Sequence, residues 1–75
     1  MEPLQRAYCE LMLARGVWRA AKDVEAQVAH WLLEGAAAHA DLRAAREREK
    51  AAKAALTRVQ RTYQRMAEAL LRRAS

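Results

Sequence analysis

Between Leu4 and Arg73 there is no proline, and only Gly16 and Gly35 interrupt the run of helix-forming residues. A chain this poor in breakers and rich in Ala, Glu, Leu and Arg has the composition of long helices and coiled coils. The two glycines therefore decide how the helix is divided. In Glu34-Gly35-Ala-Ala-Ala-His-Ala-Asp41, Gly35 can adopt the left-handed conformation that ends a helix, and Asp41 can accept amide hydrogen bonds as an N-cap. This spacing predicts a single helical domain over residues 1–75, with helix one at about 3–34, a turn at about 35–41 and helix two at about 42–74. Gly16 costs about 1 kcal/mol relative to alanine inside a helix, which makes it the candidate point for a kink or a split of helix one. The competing layout ends a short helix at Gly16 and runs one long helix beyond it.

Helix two carries the more regular pattern. Leu42, Ala45, Glu49, Ala52, Leu56, Val59, Tyr63, Met66 and Leu70 keep alternating three- and four-residue spacing, and Glu49 breaks the apolar seam. In helix one, Leu4, Leu11, Trp18, Ala21, Val28, Leu32, Val17, Val24 and Trp31 spread over an arc wider than one neighbouring helix covers. Such a face asks for two neighbours. The predicted fold is thus all-α, an antiparallel two-helix hairpin that dimerises into a four-helix arrangement. Pairing residues whose numbers sum to about 76 sets Trp31 near Ala45, Val24 near Ala52 and Leu11 near Met66. The expected hairpin and dimer core comprises Val24, Val28, Trp31, Ala45, Ala52, Leu56, Val59, Tyr63 and Met66.

Size bears on the same expectation. A 75-residue chain with 19 alanines and no phenylalanine has little bulk from which to build a core. Cys9 has no second cysteine to pair with, and is expected to act as a packing residue. His30 and His39 lack ligand spacing, so no metal and no cofactor is expected. Oligomerisation is the remaining route to extra buried surface. No apolar run reaches the roughly 18 to 20 residues of a membrane span, and the amino end has no signal-like core, so a cytoplasmic location without membrane contact is expected.

No glycine-rich phosphate loop, paired-carboxylate pocket or nucleophile–base–orienter set is legible, which argues against an enzyme. Charge is the sharper signal. Residues 1–41 hold four Lys or Arg and six Asp or Glu, net −2, whereas residues 42–75 hold ten against three, net +7. Arg58, Arg61, Arg65, Arg72 and Arg73 form a ladder on helix two able to meet phosphates or an acidic protein surface. Leu4, Leu11 and Trp18 lie toward one edge of the apolar arc, where an open edge would serve as a protein-binding anchor.

The leading expectation is a homodimeric, non-enzymatic regulatory protein that binds a heterologous protein as an inhibitor, anti-activator or adaptor. The arginine-rich composition fits a bacterial or phage source and a host enzyme or transcription factor as target. One alternative is a basic helical protein that binds DNA or RNA through the arginine ladder. The other is a structural coiled-coil assembly protein.

Overall fold

The computed structural model describes residues 2–74. Two helices account for nearly all of them: α1, Pro3–Leu33, and α2, His39–Ala74. They fold back on each other as an antiparallel hairpin with extents of 59 × 17 × 15 Å. The lengths follow from the sequence, since 31 and 36 residues at 1.5 Å each give rods of about 46 and 54 Å.

α1 starts where Pro3 supplies a pre-set φ and has no amide hydrogen to leave unsatisfied. The Gln5 side chain accepts the Glu2 amide at 3.4 Å, and the Arg6 amide donates to the Glu2 carbonyl at 3.0 Å. At the other end the Ala36 amide donates to the Trp31 carbonyl at 2.7 Å and the Gly35 amide to the Leu32 carbonyl at 3.1 Å. That pair of bonds is the Schellman motif, and it requires a left-handed residue at Gly35, whose φ is +76°.

α1 passes through Gly16 as one continuous helix, as in the hairpin layout and unlike the layout that ends a helix there, because a single glycine costs too little to end a long helix. One expectation is corrected. α2 begins at His39 rather than near residue 42. Asp41 lies inside its first turn and accepts the Ala38 amide through Oδ2 at 2.9 Å, capping from within instead of from the flank.

The earlier start of α2 shortens the turn and moves the register. Tyr8 faces Tyr63 with ring centroids 6.0 Å apart, Glu25 pairs with Arg46 at 3.5 Å, and Trp18 bonds Glu49 at 2.8 Å. Opposed residues therefore sum to about 67 to 71, not 76. On α2 every position of the expected seam from Leu42 to Met66 is buried or half-buried, as are its neighbours Ala55, Thr57, Gln60 and Ala67, while Leu70 is exposed. On α1 the seam runs along one edge of the wide arc: Leu4, Leu11, Trp18 and Leu32 alternate with Ala7, Ala14, Ala21 and Val28, with Glu25 completing the spacing. The buried core is small, comprising Ala7, Leu11, Ala45, Ala52 and Leu56 among the described residues.

Candidate interaction surfaces

Taking the seam as heptad positions a and d, with Leu4 at a in α1 and Leu42 at a in α2, leaves two long sides of the hairpin. The first is formed by positions g and c. In an antiparallel pair the g positions of the two helices flank the same side of the seam, and a shallow hollow of about 360 Å³ shows this directly. It is lined by Val24, Val28 and Trp31 of α1 together with Ala44, Ala45 and Arg48 of α2.

This side carries a second seam on α1. Leu13, Val17, Ala20, Val24, Gln27 and Trp31 repeat the four- and three-residue spacing one step around the helix from the covered one. Leu13, Val17, Val24 and Trp31 are 71, 60, 46 and 45% exposed. The wide apolar arc thus receives one neighbour along one edge and none along the other. Beside it α2 presents small residues, Ala44, Ala51 and Ala55, with arginines at 48, 58 and 65.

The opposite side, positions e and b, has a different character. Trp18 projects from the seam toward it and donates its indole Nε1–H to Glu49 Oε1. Lys22 Nζ sits 4.6 Å from the centroid of the Trp18 ring, and the Arg46–Glu25 pair lies alongside. Glu49, the residue that interrupts the α2 seam, is thereby matched by the one seam side chain able to donate to it. Glu25 is the corresponding acid on α1, and its carboxylate reaches out to Arg46 instead of staying in the interior.

The residues expected to bind partners are redistributed. Leu11 is buried inside the hairpin and Trp18 is half-buried in the seam, so neither forms an open edge, whereas Leu4 is half-buried and lines two open hollows at the end of the hairpin. Val24 and Trp31, expected in the core, lie outside the intramolecular seam because the five-residue change of register places Trp18 and Ala21, not they, against α2. Val28, Val59, Tyr63 and Met66 are half-buried seam positions, and Ala45, Ala52 and Leu56 are buried there. Cys9 is exposed on the outer surface rather than packed.

The arginine ladder also divides. Arg58, Arg65 and Arg72 share one strip at seven-residue spacing, with Arg72 3.8 Å from Glu68. Arg61 lies on the outer edge of α2, and Arg73 lines a hollow with Leu4, Met66 and Leu70 at the open end of the hairpin. His30 pairs with Glu34 at 3.0 Å within the last turn of α1. Among the described residues no three His, Cys, Asp or Glu side chains gather in a way that could hold a metal ion, and no helix is long and apolar enough to cross a membrane.

Comparison with protein-family models, curated proteins and solved structures found no match.

Proposed function

We propose that this is a small non-enzymatic regulatory protein that acts by protein–protein binding, with a homodimer as its working form. The observation that carries the reading is the second heptad seam of α1, whose large side chains stand exposed beside a row of alanines on α2. Spacing of this kind over some 18 residues is more than scattered surface hydrophobics, and it matches helix-to-helix recognition.

A second copy fits this side. A two-fold axis parallel to the hairpin lays α1 of one protomer on α2 of the other at the same level, so Val17 meets the region of Ala51 and Ala55 and Val24 that of Ala44. Large residues then enter the space that alanines leave. Charges agree as well: Glu10, at a g position of α1, comes level with Arg58 on the facing side of α2. The other symmetric option, α1 on α1, sets Arg48, Arg58 and Arg65 against their own copies and is disfavoured by like-charge repulsion. The contact is isologous and closes, giving four helices instead of a filament. That favours a discrete regulator over an open-ended assembly protein.

In this reading the heterologous target is recognised by a helical surface that exists only in the dimer. The test compares wild-type protein with a Val17→Glu/Val24→Glu variant, both tagged, at physiological salt. A stoichiometric protein partner held by the wild type and released by the variant is expected. No such partner, or one that both forms hold equally, contradicts the reading.

A further inference from the structure

We infer that the e and b side of the hairpin is a binding site for the phosphate backbone of a double-stranded nucleic acid, formed by both helices together and distinct from the arginine ladder of α2. The two helices contribute comparably: α1 places Arg15, Arg19 and Lys22 on this side, and α2 places Arg43, Arg46, Lys50 and Lys53. Every lysine of the chain is here. None of the nine acidic residues occupies an e or b position in either helix, although they are found at a, c, f and g. A merely solvated surface mixes both signs; this one is sorted.

The register gathers these cations at one level. Because opposed residues sum to about 71, positions 43 to 53 of α2 lie beside positions 18 to 28 of α1. The tract from Arg15 to the level of Arg43 is therefore about 20 Å long at 1.5 Å per residue. Two of its cations are engaged, Arg46 with Glu25 at 3.5 Å and Lys50 with Glu47 at 3.7 Å. Among the described residues Arg15, Arg19, Arg43 and Lys53 form no ion pair, and Lys22 sits over the Trp18 ring.

The chemistry of the occupant follows from what separates the charges. Between the cations of the tract stand only Ala26, Ala29 and Thr57, and the larger exposed side chains of this side, among them Tyr8 and Leu33, lie beyond its two ends, so the tract itself has no anchor of the kind a protein interface centres on. Single-strand binding uses exposed aromatic rings for stacking, whereas the ring within the tract, Trp18, is covered by Lys22 and tied to Glu49. What remains is a dense, fixed row of cations on a rigid rod, suited to the closely spaced charges of a duplex and indifferent to base sequence. The site shares no residue with the apolar seam, and it faces outward in the proposed dimer, so it stands or falls independently of that reading.

The test is fluorescence anisotropy with labelled duplex DNA and duplex RNA of scrambled sequence, with poly-glutamate as a non-nucleic polyanion, between 50 and 200 mM salt. Five phosphate contacts give a salt slope of about −4.5, a loss of roughly 500-fold in affinity over that range. The Arg19→Gln/Lys53→Gln variant is expected to flatten the slope to about −2.7, a loss of about 40-fold. Both residues are exposed, and circular dichroism checks that helicity is kept. Arg58→Gln/Arg65→Gln, on the other side, should leave the slope as in the wild type. The tighter of the two duplexes identifies which nucleic acid supplies the phosphates. Absence of duplex binding at 50 mM salt, equal affinity for poly-glutamate, or a larger effect from the Arg58/Arg65 variant than from the Arg19/Lys53 variant overturns the inference.

Discussion

At the scale of single residues, the two glycines have opposite roles. Gly35 sits at a φ of +76°, where a Cβ meets the following carbonyl, so Gly35→Ala should destabilise the hairpin by about 1 kcal/mol or more. Gly16 lies in regular helix with nothing within 4 Å of where a Cβ would stand, so Gly16→Ala should stabilise it by about 0.5 to 1 kcal/mol. Urea denaturation followed by circular dichroism measures both, and equal signs would contradict the assignment of the turn. The Trp18–Glu49 hydrogen bond has a similar logic. Trp18→Phe removes the donor and leaves a half-buried carboxylate without its partner, at a cost of about 1.5 to 3 kcal/mol. In a Glu49→Leu background the same change should cost clearly less, and a double-mutant cycle with no coupling would show that the bond is not formed.

At the scale of the elements, what matters is which strip of each helix the other one covers. The α2 seam is narrow, and its heptad spacing from Leu42 to Met66 identifies it without ambiguity. Ala52 is buried there and Ala54 is exposed, so Ala52→Leu should cost about 1 to 3 kcal/mol by overpacking and Ala54→Leu should be near neutral; equal effects would refute the face. The α1 seam was harder to read because its apolar arc holds two overlapping heptads, one through Leu11 and Trp18 and one through Val17 and Val24. Hydrophobicity alone ranks them equally. The discriminating signal was polar: Glu25 and Glu49 both fall on the seam that forms, each within reach of a donor on the other helix. The start of α2 departs from the spacing-based expectation for a related reason. Ala38, His39 and Ala40 carry no capping signal, and an aspartate can stabilise a helix from its first turn as well as from its flank.

At the scale of the whole molecule, the hairpin has two unlike sides. One is apolar on α1 and small on α2, and the other is basic on both helices. The charge imbalance between the two halves is plain in the sequence, but the e and b tract is not. It comes into being only when the register sets Arg15, Arg19 and Lys22 beside Arg43 to Lys53, and counting charges along the chain divides it between an acidic and a basic half. Likewise the small buried core, made largely of alanine, explains why a second copy matters. A rod 59 Å long and about 17 Å wide with so few buried side chains gains much by covering another face.

The central claim, that the exposed heptad of α1 is filled by a second copy of the chain, is tested most directly by the mass of the protein in solution. Sedimentation equilibrium at micromolar concentration should give about 17 kDa for the wild type, twice the 8.5 kDa chain, and 8.5 kDa for Val17→Glu/Val24→Glu with its helicity intact. A wild type that stays at 8.5 kDa throughout, or a variant that remains at twice that mass, would contradict it.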